Sequence, residues 1–197
     1  MINKFLSMIG SLIILLAIVL FFVFYLEQDD VEFDFPKGEG DAPMPTKLHP
    51  TVAEKRDQLV ARAEEKGIEV VITEGFRTIE EQEEIYERGR SEEGNIVTYA
   101  EGGESYHNYG LAIDFALRNK NEKLIWDTEY DGNGNGKSDW MEVVAIAKEL
   151  GFDWGGDWRR FKDYPHFQMD MGYSIRELKN GFRPEVPKDS TQSPEGE

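Results

Sequence analysis

Two of the three histidines in this 197-residue chain lie beside segments of strictly alternating character. In SYHNYGLAID, His107 precedes a run in which Gly110, Ala112, Asp114 and Ala116 alternate with Leu111, Ile113, Phe115 and Leu117. In DYPHFQMDM, His166, Gln168 and Asp170 alternate with Phe167, Met169 and Met171. A period of two marks a strand with one apolar face, so Asp114 and His166 are expected on the opposite face of their strands. If the two strands are neighbours, His107, Asp114 and His166 converge. Two imidazoles and a carboxylate are a donor set for a hydrolytic zinc site, which keeps a further position for water. Asp163, three residues before His166, is a carboxylate suited to take a proton from that water and pass it to a leaving amine. Each residue also has a plainer reading: the histidines as hydrogen-bonded structural residues, and Asp163 as an acid capping the turn before Pro165.

A second metal-binding pattern lies between these strands. DGNGNGKSDWME matches the calcium-loop pattern at Asp131, Asn133, Asn135, Gly136 and Glu142, with Asp139 at the ninth place. It runs directly into a helical stretch, but WDTEY before it does not read as an entering helix. The alternative is an Asn-Gly-rich turn joining a strand to a helix. If calcium binds, its role is structural, pinning the loop ahead of Asp163 and His166. His49, beside Pro50, is expected to be an ordinary solvated residue.

Composition narrows the function classes. A net charge of −17 leaves no clustered basic surface for phosphates, which excludes a nucleic-acid partner. With no cysteine, disulfides, thiolate zinc sites and cysteine nucleophiles are excluded, so any metal must sit on His, Asp and Glu. The length suits one ordinary domain with appendages.

The elements that must position these residues follow from the pattern along the chain. Residues 1–26 read as a transmembrane anchor: Phe5 to Leu26 carries no charge, Lys4 precedes it, and Glu27, Asp29 and Asp30 follow. That polarity places the N-terminus inside and the rest of a single-pass membrane protein on the extracellular side. Residues 27–50 are acidic and punctuated by proline and glycine, a disordered tether, and 183–197 have the same character. Between them, residues 46–182 are expected to form the catalytic domain. Helices are expected at Thr51 to Lys66, Ile79 to Arg88 and Met141 to Leu150, and strands at Ile68 to Thr73, Gly110 to Leu117 and His166 to Met171. Thr78 and Glu81 form a capping-box signature for the second helix. The element order indicates an α+β fold with helices packed on a small antiparallel sheet.

SYHNYGLAID and DYPHFQ, together with GFRT upstream, resemble the zinc D-Ala-D-Ala carboxypeptidase and L-alanyl-D-glutamate endopeptidase superfamily, whose fold is shared with the zinc domain of hedgehog proteins. The likeness is to the peptidases of bacilli and of phage endolysins in particular, and covers about Thr51 to Asp170. The resemblance implies that His107, Asp114 and His166 bind zinc and that Asp163 is the general base. It implies that Arg77, in GFRT, holds a polarised carbonyl oxygen or a substrate carboxylate, and that Ser105 lines the site or supports the His107 loop. Many members carry Glu at the base position, so the shorter Asp163 requires the water or the backbone to sit closer. The implied activity is hydrolysis of the L-Ala–D-Glu bond in peptidoglycan stem peptides. The alternatives are a D,D-carboxypeptidase removing terminal D-Ala, or a non-catalytic zinc-stabilised module that binds the wall.

Overall fold

Strand β2, Ala112–Arg118, sits in the middle of the sheet, and its sequence explains why. Ala112, Ile113, Phe115, Ala116 and Leu117 are all buried, so β2 is covered on both faces, where the alternation alone suggested one open face. The small alanines flanking Asp114 let neighbouring chain come close on that side. The computed structural model describes residues 42–91 and 97–187.

Strand β1, Glu69–Glu74, pairs antiparallel with β2 along one edge, and a register shift between Ile72 and Glu74 brings Glu74 opposite Asp114. Two short strands follow β2 in the chain: β3, Leu124–Ile125, which folds back on the end of β2, and β4, Asp153–Trp154. Strand β5, His166–Gln168, pairs with the other edge of β2, and β4 pairs with β5. The main path of the sheet is β1-β2-β5-β4, antiparallel throughout.

Helix α1, Pro50–Glu64, carries Pro50 in its first turn, where its missing N–H costs nothing. Helices α2, Ile79–Ser91, α3, Asp139–Glu149, and α4, Ile175–Lys179, follow. The capping box of α2 forms as the sequence suggested: Thr78 N–H donates to Glu81 Oε2 at 2.8 Å and Glu81 N–H to Thr78 Oγ1 at 3.1 Å. Val52, Leu59 and Ala63 of α1 and Trp140, Val143, Val144, Ile146 and Ala147 of α3 form one core with Phe115 and Leu117 of β2 and Phe167 of β5. This is the expected α+β arrangement. Strands β3 and β4 and helix α4 went unanticipated because two to five residues are too short to show a period.

The ends of the domain are held by backbone contacts. His49 N–H donates to Gly110 O at 2.9 Å, and a Cβ on Gly110 would meet the Lys47 carbonyl oxygen at 2.4 Å, so only glycine fits there. His49 is 9% exposed, which corrects the reading of a solvated residue. Its Nδ1 accepts from Thr51 N–H at 3.3 Å as a helix cap and its Nε2 donates to Glu185 O at 3.2 Å. Arg183 donates to the Leu178 and Phe182 carbonyls, with its guanidinium 5.0 Å from the Tyr109 ring centre.

The expected membrane location requires correction. Among the described residues no helix is long and apolar enough to cross a membrane. The longest of them, α1, has 15 residues, and at 1.5 Å per residue reaches about 22 Å, short of a hydrocarbon core of about 30 Å. The expected single-pass protein with its domain outside has no spanning helix among the described residues. The apolar run of residues 1–26, and residues 27–41 and 188–197 of the expected tether and tail, lie outside the described residues.

The Phe115 ring is fully buried, stacked 4.8 Å from Phe167 and tilted against Trp140 at 4.3 Å. Phe115→Ala is expected to cost about 3–5 kcal/mol of unfolding free energy, read from urea denaturation. A loss below about 1 kcal/mol would show that this aromatic stack is not the centre of the core.

Candidate active site

Antiparallel pairing places Asp114 of β2 directly opposite His166 of β5, at a separation where side chains on one face touch. His107 arrives from the 3₁₀ turn Tyr106–Tyr109 immediately before β2. Ser105 caps that turn, accepting from His107 N–H at 3.3 Å, while Asn108 closes the capping box. Gly110, at φ +67°, then reverses the chain into β2 with no Cβ penalty. Ser105 thus supports the His107 turn, and it also lines the cleft above it.

The three donors form a nearly equilateral triangle. His107 Nε2 lies 3.2 Å from His166 Nδ1 and 3.3 Å from Asp114 Oδ1, and His166 Nδ1 lies 3.2 Å from the same oxygen. Donors held about 2.0–2.1 Å from a tetrahedral zinc ion stand roughly 3.3–3.4 Å apart, so these edges match one face of such a tetrahedron. Their outer partners fit as well. His107 Nδ1 sits 2.6 Å from the Gly75 carbonyl, which can only accept, so the proton is on Nδ1 and the Nε2 lone pair faces the triangle. His166 Nε2 lies 3.1 Å from Gln168 Oε1, which in the same way turns Nδ1 inward. Three electron-pair donors aimed at one point need a cation or protons between them.

The electrostatics of the metal-free triangle reflect that need. Burial alone would raise the Asp114 carboxyl, but hydrogen bonds and charge from His107 and His166 outweigh it and hold the group well below the carboxylate range. For His166, burial opposes protonation, yet the Asp114 carboxylate and the charge on Asp163 raise it above its ordinary value. Asp163 is raised, first by burial and then by repulsion from Asp114.

Asp163 and Arg77 line the same cleft as the triangle, a cavity of about 540 Å³ walled also by Tyr99, Trp158, Phe161 and Ile175. The turn before Pro165 is closed by the Asp163 carbonyl, which accepts from His166 N–H at 3.3 Å, so the side chain is not the cap. Gly155 packs against this turn so tightly that a Cβ would meet the Asp163 carbonyl oxygen at 2.4 Å. Arg77 N–H donates to the His107 carbonyl at 3.1 Å, and its own carbonyl accepts from Asn108 Nδ2 at 3.0 Å, so GFRT and the histidine turn are stitched together. Its guanidinium donates to Gln82 Oε1 at 2.8 Å and Glu74 Oε2 at 3.3 Å, and stands 3.9 Å from Asp114 Oδ2.

Every residue read from the two histidine motifs and GFRT therefore meets at one cleft. Sequence reasoning missed Asn108 and the Gly75 carbonyl, whose partners come from other segments, and Glu74 and Gln82, which close on the nearby Arg77. Gln168 carried a signal, since it shares the His166 face in the alternation. The Asp131–Glu142 residues form a separate loop, which curls around its first acid: Asp131 accepts from the N–H groups of Gly134, Asn135 and Gly136 at 2.8, 3.1 and 2.9 Å. Glu142 accepts from Asn133 and Asn135 Nδ2 at 3.3 and 2.8 Å. Asp139 is buried, with one oxygen accepting from Gly132 N–H at 2.9 Å and the other without a hydrogen-bond partner among the described residues.

A small antiparallel sheet carrying a two-histidine, one-carboxylate triangle beside a free carboxylate and an arginine defines a hydrolytic metalloenzyme. The profile of the D-alanyl-D-alanine carboxypeptidase family matches residues 98–169. The peptidoglycan L-alanyl-D-glutamate endopeptidase CwlK of Bacillus subtilis is 68% identical over 129 residues, covering 66% of this chain and 77% of that protein. The L-alanyl-D-glutamate peptidase of Listeria phage A118 is 36% identical over 125 residues, covering 63% of this chain and 39% of that protein. The crystal structure of the L-Ala D-Glu endopeptidase ChiX of Serratia marcescens superposes with a TM-score of 0.43 at 25% identity, covering 67% of this chain and 84% of that one. The chain belongs to this family of L-alanyl-D-glutamate endopeptidases and D-alanyl-D-alanine carboxypeptidases.

The shifts at the triangle set a pH window for the metal-free protein. Asp114 is depressed below its ordinary 3.8, so its stabilisation is present above that pH and lost only as pH falls further, through its folded value. His166 is raised above 6.5, so its stabilisation is complete below that pH and lost as pH rises through its folded value. Chelator-treated protein is expected to lose stability above about pH 6.5, and His166→Gln to lose less over the same range. Thermal melts at about pH 5.5 and 8.5 compare them, and equal alkaline losses in both proteins would count against the pairing.

Proposed function

We propose that the chain hydrolyses the L-Ala–D-Glu bond of peptidoglycan stem peptides, with His107, Asp114 and His166 as the zinc ligands. The observation that carries this reading is the triangle of 3.2–3.3 Å edges, with Asp163 and Arg77 in the same cleft. The Bacillus subtilis relative named for this bond supports the choice of substrate. Zinc bound there would lower the pKa of a water and polarise the scissile carbonyl.

Asp163 is the general base: its carboxylate accepts the proton of the attacking water and hands it to the leaving nitrogen. Burial and the Asp114 charge raise its affinity for that proton, which brings it nearer to a working pH than a solvated carboxylate. Arg77 holds the carbonyl oxygen as negative charge develops on it, or anchors a substrate carboxylate, and its 12% exposure strengthens either contact. Gln168 and the Gly75 carbonyl fix the two imidazoles in the tautomers that ligation requires.

Asp163→Asn is expected to retain zinc while kcat falls by about 100-fold or more, whereas His107→Ala loses both zinc and activity. Metal analysis and amine release from purified peptidoglycan read the two effects, and mass spectrometry of the fragments names the bond. Fragments lacking only a terminal D-Ala would move the assignment to a D,D-carboxypeptidase. A wild-type rate in Asp163→Asn would remove Asp163 as base.

We also propose calcium as a structural ion in the Asp131–Glu142 loop, with Asp131, Asn133, Asn135, Asp139 and Glu142 as its side-chain ligands. The loop's wrapping about Asp131 and the partnerless oxygen of buried Asp139 support this. Calorimetric titration of the full chain with calcium is expected to show one site that Glu142→Gln abolishes. No calcium heat, or heat unchanged in the variant, would overturn it.

A further inference from the structure

Gln82 of α2 is only 1% exposed, on a helix whose neighbouring positions are glutamates. A buried primary amide must satisfy both ends, and here the two partners lie on different walls of the site. Its Nε2 donates to the Ala100 carbonyl at 2.8 Å, and its Oε1 accepts from Arg77 Nη1 at 2.8 Å. Ala100 O can only accept, so the amide cannot turn over, and its oxygen is fixed toward the arginine. Ala100 and Arg77 both line the cleft. Glu74 Oε2, at 3.3 Å from Nη2, is the guanidinium's other hydrogen-bond acceptor, and Arg77 Nε is buried without a partner among the described residues.

We infer that Gln82 is a positioning residue: it sets the direction of the Arg77 guanidinium and ties it to the Ala100 wall of the cleft. This deepens the proposed function and rests on its reading of Arg77 as the group that contacts the substrate. The choice of amide over acid is part of the argument. A glutamate at position 82 would add a third carboxylate to Glu74 and Asp114 around Arg77 and turn an anionic oxygen on the Ala100 carbonyl, whereas the neutral amide holds the arginine without adding charge. Arg77 then meets the substrate already oriented, with little side-chain freedom left to lose.

The test is a double-mutant cycle on the full zinc-loaded chain, with kcat and KM measured on soluble muropeptides and melting temperature and zinc content recorded for each protein. Gln82→Met, which keeps the volume and removes both hydrogen bonds, is expected to lower kcat roughly 10- to 100-fold, the range of a lost hydrogen bond to a charged group. Zinc content stays at the wild-type level and KM changes less than kcat. In an Arg77→Met background the same substitution is expected to change kcat no further, since Gln82 acts through Arg77. An undiminished effect in that background overturns the proposal, as does a lowered melting temperature with unchanged kcat. Gln82→Leu repeats the test if Gln82→Met folds poorly, and failure of both to fold assigns Gln82 to the core and overturns it too. A wild-type kcat in Arg77→Met alone would instead overturn the reading of Arg77 itself, taking this inference with it.

Discussion

The molecule depends on one register: Asp114 of β2 paired directly with His166 of β5. Sliding that pairing by a single residue would turn one of the two side chains to the opposite face and open the triangle. The surrounding fold holds the register. Phe115 and Phe167 stack one residue beyond Asp114 and His166, and burying both rings requires the same alignment that makes those two side chains meet. Core packing and metal geometry are thus two readings of one strand pairing.

A second constraint is that the site is built from turns tied by backbone groups. His107 stands on a 3₁₀ turn whose carbonyl accepts from Arg77 N–H, while Asn108 of that turn bonds the Arg77 and Thr78 carbonyls. The Asp163 turn is pressed against Gly155 at a distance that excludes any side chain. These ties are short and mostly buried, so His107, Asp163 and Arg77 gain the rigidity of the sheet while standing on turns outside it. His107, Asp114, Asp163, His166 and Arg77 share one cleft, and the shifts of Asp114, Asp163 and His166 each trace to burial or to a named neighbour.

Much of this was legible along the chain. Strict alternation around Asp114 and His166 reports which face each side chain takes, because a strand has a fixed period. Helix α1 and the capping box of α2 were equally plain, for they are set by residues within one turn of each other. The covered second face of β2 was not legible, since alanine and glycine suit an exposed strand face and a closely packed one alike. His49 misled for a related reason: the Gly110 and Glu185 groups that enclose it are distant in sequence. The membrane location rested on the hydropathy and flanking charges of residues 1–30, which lie outside the described residues.

By itself the sequence determined the donor types, the strand periods and, having no cysteine, the exclusion of thiolate chemistry, because these follow from side-chain identity and from contacts within a few residues. Only the tertiary structure decided that His107, Asp114 and His166 close to 3.2–3.3 Å, that the Gly75 carbonyl fixes the His107 tautomer, and that Gln82 bridges Arg77 to Ala100. The physical reason is range: these contacts join segments up to 59 residues apart, and no local pattern encodes a distance that forms only when sheet register and turn packing are satisfied together.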